Sequence, residues 1–386
     1  MVSTLAVAET RFAEQFKKFL EGSDDSLRPV RERAFRYFEV NGFPSVRDEN
    51  WKYTNVAPIA KEDWTIAPVA LTSSTAGEDV RPLFERFKAE RNGFAALNAA
   101  FAQTVVYRIP KETSASQPIE FTFAADAGSV IFPHVIIIAE AGSKATLIET
   151  FKTKAKGFTN AAIQIVVEDN ASLTHFRVQK DSTDAFHVGT TEVALHRGSY
   201  YNATNINLGG AISRHDIDLK FTAEGGEAHI DGLYMLNGSQ HADTHSVIDH
   251  TVPNCTSGQN YKGVLNDRSR AVFNGIVFVR ENAHGTDAQQ SNKNLLLSND
   301  ARVDTKPQLE IFNDDVKCSH GATVGQLEDE ELFYLLTRGL SETLARNLLT
   351  YGFAEEIINK VDIDSIKSDL DSAVLDRLAT DLEKKI

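Results

Sequence analysis

Apolar positions recur at helical spacing near the start of the chain. Phe12, Phe16 and Leu20 lie four residues apart, the i, i+4 repeat that lines one face of a helix. Pro29 opens a second predicted helix, and Asn41-Gly42 with Pro44 beyond closes it. An aromatic loop follows, Asp48-Glu-Asn-Trp51-Lys-Tyr53-Thr-Asn55. The polar stretch Leu71–Glu78 reads as a flexible connection, and a helical pattern resumes from Pro82 to Ala102. Near residue 104 the period changes. Short apolar or alternating runs take over: Val130–Ala139, Ala145–Phe151, Ile163–Val167, Thr191–Leu195, Ile217–Phe221 and Ala271–Val279. Small-residue turns separate these predicted strands, and the turns repeat. Those at Gly142, Asn170, Gly198 and Gly225 are 28, 28 and 27 residues apart, and others at Gly238, Arg268 and Asp300 follow after 13, 30 and 32. A β-sandwich shows turn signals about every 8–12 residues. The longer superperiod fits stacked coils better, with the inward face of each strand buried on its neighbours. From Glu328 helical periodicity returns, with Leu344, Leu348 and Tyr351, then Leu370, Val374, Leu378 and Leu382. The pattern predicts a mainly β protein: a helical segment 1–103, a β-solenoid core 104–326 and a helical segment 327–386.

Composition adds limits. The chain has 386 residues, 42% hydrophobic and 24% charged, so it can bury a large core. Its longest apolar run in the β region, Val135–Ala139, is strand-sized, and no membrane span is expected. The first ten residues lack a basic n-region and an apolar h-region, so no secretory signal is expected. The net charge of −14 disfavours nucleic acid. Residues 327–386 hold 14 Asp/Glu against 7 Lys/Arg, half of that excess. They read as a small acidic helical domain or as a docking surface for a basic partner. Only two cysteines are present, Cys255 and Cys318, with no CxxC pair. A reducing, cytoplasmic setting is expected, and the chain alone cannot supply four thiolates to a zinc or iron–sulfur site.

Three clusters carry candidate chemistry. His241, Asp243 and His245 alternate, so on a strand they share one face. They are ligands that zinc or non-haem iron accepts, with Asp249 and His250 nearby; the plainer reading is a polar, solvent-facing row. Cys318 and His320 also share a face if extended, with Asp314 and Asp315 just before them. They hold one soft or borderline metal from two directions, or form a buried free cysteine beside a structural histidine. Cys255 is a nucleophile only if a base such as His250 activates it; otherwise it packs. The aromatic loop around Trp51 reads as a plug between the N-terminal helices and the β region. No GxxxxGK[ST], GxSxG or HExxH string occurs.

Five strings then coincide in order: Asp48-Glu-Asn-Trp-Lys-Tyr-Thr-Asn55, His250-Thr-Val-Pro-Asn-Cys-Thr-Ser-Gly-Gln-Asn-Tyr-Lys-Gly263, Gln289-Gln-Ser-Asn-Lys-Asn-Leu-Leu-Leu-Ser298, the run from Pro307 to Gly325 and Leu332-Phe-Tyr-Leu-Leu-Thr-Arg-Gly339. Together they resemble the SufB/SufD family of iron–sulfur cluster assembly scaffolds, and within it the SufD branch. The resemblance implies a right-handed parallel β-helix between N-terminal and C-terminal helical domains. It implies a non-catalytic subunit of a cytoplasmic complex that pairs with SufB through the β-helix and docks the SufC ATPase on its C-terminal helices. ATP hydrolysis by SufC would then expose the SufB–SufD interface. Cys318 and His320 match the family's interface cysteine and histidine, so they are expected to bind a nascent iron–sulfur cluster shared with SufB, His320 foremost. No cofactor is expected to be held tightly by the chain alone, and no motif for a flavin is found. The alternatives are a β-solenoid enzyme acting on polysaccharide and a homodimeric metal-binding protein using the His241 row. A homodimer is also an open state for the isolated chain, because solenoid edges invite pairing.

Overall fold

The computed structural model describes residues 4–21, 26–69 and 80–383. Helices α1 (Thr4–Glu21), α2 (Arg28–Asn41), α3 (Ala57–Ala60), α4 (Arg81–Phe84) and α5 (Gly93–Phe101) precede the core, with a short strand β1 (Thr65–Ile66) among them. The core opens with β2 (Gln103–Ile109), β3 (Ile119–Phe123), β4 (Ser129–Ile131), β5 (Pro133–Ala139), β6 (Lys144–Phe151) and β7 (Phe158–Val167). It continues with β8 (Ser172–Gln179), β9 (Phe186–Leu195), β10 (Tyr200–Asn207), β11 (Ile212–Phe221), β12 (Glu227–Leu236) and β13 (His241–His250). It ends with β14 (Thr256–Leu265), β15 (Arg270–Val279), β16 (Thr286–Leu296), β17 (Arg302–Ile311) and β18 (Val316–Gly325). Helices α6 (Asp329–Thr337), α7 (Glu342–Ile358) and α8 (Asp364–Glu383) follow.

The strands wind into a parallel β-solenoid of about eight turns. Even-numbered strands from β6 to β18, with β3, form one sheet; odd-numbered strands from β5 to β17, with β1, β2 and β4, form the other. Pairing is parallel and in register, so each residue stacks on its equivalent in the next coil. Ser172 pairs with Tyr200, Tyr200 with Glu227, Glu227 with Thr256 and Thr256 with Asp287. These steps reproduce the superperiod expected from the turns. The turn series itself needs a correction, because it mixed two corners. Glu112, Gly142, Asn170, Gly198, Gly225, Asn254 and Gly285 all have positive φ. Their backbones mark one corner, and Asn254 continues it after Gly225. Gly238 and Asp267 belong to the opposite corner, where Arg268 N donates to Gly238 O at 2.9 Å. The step of 13 residues is the walk from one corner to the other. At Gly198 (φ 60°) a Cβ would lie 2.6 Å from Asn170 Oδ1, so stacking as well as φ selects glycine there.

The predicted helix from Pro82 to Ala102 is broken in the structure. Asn92 Oδ1 accepts from Phe94 N and Ala95 N at 2.9 and 3.0 Å and so caps a new helix, α5. A Cβ on Gly93 would lie 2.1 Å from Gly42 O, which lets α5 pack tightly on the end of α2. The connection Leu71–Glu78 lies outside the described residues, as do the side chains of Leu378 and Leu382.

Part of each outer sheet face is covered by the chain itself. Phe12, Phe38, Trp51, Phe94 and Phe101 pack on Phe132, Phe158 and Phe186 of the odd-strand side. Ile357, Ile358, Leu370 and Val374 of α7 and α8 pack on Ile148, Phe176, Ile206, Leu233 and Val264 of the even-strand side. The apolar stripe of Leu344 and Leu348 faces away from that core, 54% and 50% exposed. Helix α6 buries no residue and exposes Phe333 and Tyr334. Its first turn carries Asp329, Glu330 and Glu331, a favourable placement at a helix N-terminus.

Candidate functional site

The last coil, β17 and β18, lies at the edge of both sheets. Its ladder groups on the outer side have no strand partner among the described residues. On β18, Ala288 pairs with Cys318 and Gln290 with His320. Ala288 and Gln290 are buried, 0% and 3% exposed, so these positions point into the lumen. Cys318 and His320 therefore share the inward face, as their spacing predicts. Cys318 is half-buried and His320 exposed, because no further coil closes the end. Burial pushes the Cys318 thiol up, and a backbone N–H from Ala288 offsets this only in part. Such a thiol becomes a ligand when a metal displaces its proton.

Asp314 and Asp315 do not join them. They sit in an exposed turn, where Asp315 N donates to Asn313 Oδ1 at 2.9 Å and Asp315 O accepts from Gly285 N at 2.8 Å. Among the described residues no group of three His, Cys, Asp or Glu is arranged to hold a metal ion. Two ligands at an open end form part of a site at most.

Of the two edge strands, β17 carries Arg302, Asp304, Lys306, Pro307 and Glu310, whereas β18 has the single charge Lys317 and is poorly protected as an edge. Residues 318–325, Cys-Ser-His-Gly-Ala-Thr-Val-Gly, carry no formally charged Lys, Arg, Asp or Glu and no proline. Ile311, Phe312 and Val324 are 40%, 55% and 49% exposed. Soluble proteins usually blunt such edges with charge, proline or cover.

Above the end, the lumen is lined by amides and hydroxyls. Gln290 Nε2 donates to Gln259 Oε1 at 2.8 Å, and Gln259 Nε2 to Ser246 Oγ at 2.8 Å. Asn294 Nδ2 donates to Asn292 Oδ1 at 2.7 Å, and Thr305 Oγ1 to the same oxygen at 2.7 Å. Deeper in, His175 Nε2 lies 2.9 Å from Glu149 Oε2, and His187 bridges Arg177 and Asp181 at 2.6 and 3.1 Å.

The His241 row corrects the sequence reading twice. It is not a solvent-facing face, and it is not open to a metal. Asp243 is 2% exposed. Its Oδ2 accepts from Arg214 Nη1 at 2.7 Å and from Thr54 Oγ1, and its Oδ1 lies 3.0 Å from His245 Nε2. His241 Nε2 lies 2.8 Å from Thr54 Oγ1. Arg214 also bonds Asn50 O and stacks 3.7 Å from the Trp51 ring. A guanidinium occupies the place a cation would take, so the row clamps the aromatic loop to the solenoid. The homodimeric metal-binding reading falls with it. Trp51 does act as the plug, 3% exposed against Phe94, while Tyr53 stays 46% exposed.

Cys255 is buried, its Sγ 3.4 Å from Pro253 O, and burial pushes its thiol up. His250 instead bonds Ser257 Oγ at 2.8 Å and stacks on Phe221. The cysteine packs the corner. Arg214, Thr54 and the Gln259–Gln290 pair were not singled out from sequence. The glutamines stand at alternating strand positions where apolar residues are expected, and both fall inside strings that carry the family resemblance.

The family described as SUF system FeS cluster assembly, SufBD core domain, matches residues 121–353. The SufBD protein N-terminal region matches residues 9–81. The chain is 29% identical to the iron–sulfur cluster assembly protein SufD of Escherichia coli, over 95% of this chain and 96% of that one. It is 26% identical to SufD of Bacillus subtilis, over 85% and 77%. It is 36% identical to an iron–sulfur cluster assembly SufBD family protein of Synechocystis sp., over 73% of this chain and 65% of the relative.

Proposed function

Because this chain belongs to the SufBD family of iron–sulfur cluster assembly proteins, we propose that it is a non-catalytic scaffold subunit of a cytoplasmic assembly complex. It pairs with SufB through the open end of its solenoid and docks the SufC ATPase on its C-terminal helices. The observation that carries this reading is the last coil. The edge strand β18, proline-free and with Lys317 as its single charge, is suited to pairing with another edge, helped by exposed Val324 on it and Ile311 and Phe312 at the end of β17. Cys318 and His320 line that same end and supply one thiolate and one neutral imidazole to iron. The partner chain completes the ligand set of the cluster being built. The exposed Phe333, Tyr334, Leu344 and Leu348, in a segment with twice as many acidic as basic residues, suit a protein partner with basic groups around apolar pockets.

Co-expression with SufB and SufC tests the reading. A stable complex is expected, and His320→Ala is expected to leave the complex assembled while abolishing cluster formation. Normal cluster maturation in that variant would overturn the site assignment, and failure to co-purify with SufB would overturn the pairing.

A further inference from the structure

We propose that Gln290 is a positioning residue for His320. Its side-chain carbonyl accepts the imidazole N–H, directly or through one water, and holds the ring in a single tautomer with the other nitrogen's lone pair open to iron. The proposal rests on the reading of His320 as a cluster ligand and adds what orients it.

The geometry starts from register. Gln290 is the in-register neighbour of His320 one coil back, and both point into the lumen. Parallel neighbours stand about 4.8 Å apart, within reach of two side chains of this length. Gln290 is 3% exposed, and its Oε1 is buried with no hydrogen-bond partner. A buried orphan acceptor costs about 1–3 kcal/mol, so it marks a place where a donor belongs. The amide does not turn over by itself, although Ser246 Oγ, which also donates to Gln259 Oε1 at 3.2 Å, would satisfy both glutamines turned together. Its Nε2 is held by Gln259 Oε1 at 2.8 Å, and Gln259 is held in turn by Ser246. Flipping Gln290 alone would set two carbonyl oxygens against each other. Gly275 leaves room for this arrangement, since a Cβ there would lie 2.3 Å from Gln290 Nε2.

Few donors can reach the orphan oxygen along the ladder. The lumen positions flanking His320 are Cys318 and Ala322, and those flanking Gln290 are Ala288 and Asn292. Asn292 already spends its amide on Tyr234 OH and Tyr261 O at 3.1 and 3.3 Å. The Cys318 thiol is a weak donor. That leaves the imidazole. A carbonyl on one ring nitrogen fixes which nitrogen carries the proton and makes the other a better ligand. The chain Ser246–Gln259–Gln290–His320 would pass orientation from the rigid lumen to a side chain on an exposed strand.

The test uses the full chain labelled with ¹⁵N-histidine, at mildly alkaline pH. Signals that vanish in His320→Ala identify the ring, and long-range ¹H–¹⁵N correlations report its tautomer. The expected result is one dominant tautomer in the native chain and a mixture in Gln290→Met, which keeps volume and removes the acceptor. The apparent Co²⁺ dissociation constant, from broadening of the same signals, should weaken about 10- to 100-fold. Gln259→Met, which only releases the amide, should give a smaller change in both readouts, and it carries the comparison if Gln290→Met does not fold. An unchanged tautomer and an affinity within about twofold of native in the folded variants would overturn the proposal. If His320→Ala leaves Co²⁺ binding intact, the ligand reading fails instead, and the tautomer measurement still decides whether Gln290 orients the ring.

Discussion

Asp243→Asn should release the aromatic loop from the solenoid while leaving the coils intact. Asp243 is buried under that loop, with Arg214 Nη1 at 2.7 Å, His245 Nε2 at 3.0 Å and the Thr54 hydroxyl on its carboxylate. The isostere keeps shape and removes charge, so Arg214 is left in a buried site with Asp216 alone, at 2.8 Å. Removing one member of a buried pair costs about 3–5 kcal/mol. Thr54→Val removes the hydrogen bond to the Asp243 carboxylate together with the contact to His241 Nε2 and should cost about 1.5–3 kcal/mol. The two changes share a partner, so their costs should not add, with a coupling of about 0.5–3 kcal/mol. Local hydrogen exchange is the assay, because a chain of this size need not unfold in two states. Amides of residues 48–56 should lose protection in Asp243→Asn while those of the in-register ladders keep theirs. Acid has a defined effect. Burial alone would raise the Asp243 carboxyl, but the Arg214 guanidinium and His245 outweigh it and hold it well below the usual carboxylate range. A depressed folded pKa means stability that is complete above the unfolded value of about 3.9 and is lost as pH falls towards the folded one. The native clamp should therefore persist to strongly acidic pH. A cost under about 1 kcal/mol with unchanged exchange at 48–56 would refute the clamp.

The other predictions follow from exposure and burial elsewhere. Leu344→Asp with Leu348→Asp, both on the exposed side of α7, should change stability by no more than about 0.5 kcal/mol per site and abolish co-purification of SufC. Val324→Lys, 49% exposed on the edge strand, should leave the chain folded by circular dichroism and prevent pairing with SufB, read by light scattering. Burial pushes His134 and His250 each down to about 4. Their unfolded forms protonate near about 6.5, so between those values the unfolded chain binds more protons and stability falls as pH drops, by on the order of 3 kcal/mol per group. Urea midpoints from neutral pH to about 4.5 should show this slope, and His134→Gln should reduce it.

Much of the architecture was legible because its determinants are local or periodic. The change from a four-residue to a two-residue repeat near residue 104 marks the entry to the core. The superperiod identifies coils, since each turn must return the chain to the same face. Cys318 and His320 share a face simply because strand side chains alternate. The failures concern contacts between distant segments. The step from Gly225 to Gly238 looks like another interval in a series until pairing shows which corners stack. His241, Asp243 and His245 read as a polar exposed face, and only the arrival of Trp51 and Thr54, almost 190 residues earlier, makes them a buried clamp. On α7 both Leu344-Leu348 and Ala354-Ile357-Ile358 are apolar, and period alone cannot say which side meets the sheet. The packing chose the second, against Phe176, Leu233 and Val264.

The lining of the lumen changes along the solenoid, which matters if, as proposed, its open end is covered by a partner and then exposed. In the early coils the lumen is largely aliphatic, with Val135, Ile137, Leu147, Ile163 and Ile165 around the enclosed Glu149–His175 pair. Towards the open end it becomes Gln259, Gln290, Asn292 and Asn294 on one wall, with Thr305 across from them. Apolar surface bared to water costs about 25 cal/mol per Å², and a lumen of Ile and Leu would make each opening expensive. Amides that satisfy one another when covered accept water when uncovered, so the same coil is stable in both states. Apolar surface at the end comes from exposed Ile311, Phe312 and Val324 and from partly buried Val303, Leu309 and Val316, all in the last coil or its exit turn. An edge built this way favours the paired state without making the unpaired one prohibitively costly. That balance is what an interface needs if a nucleotide-driven partner is to open it and release what was assembled between the chains.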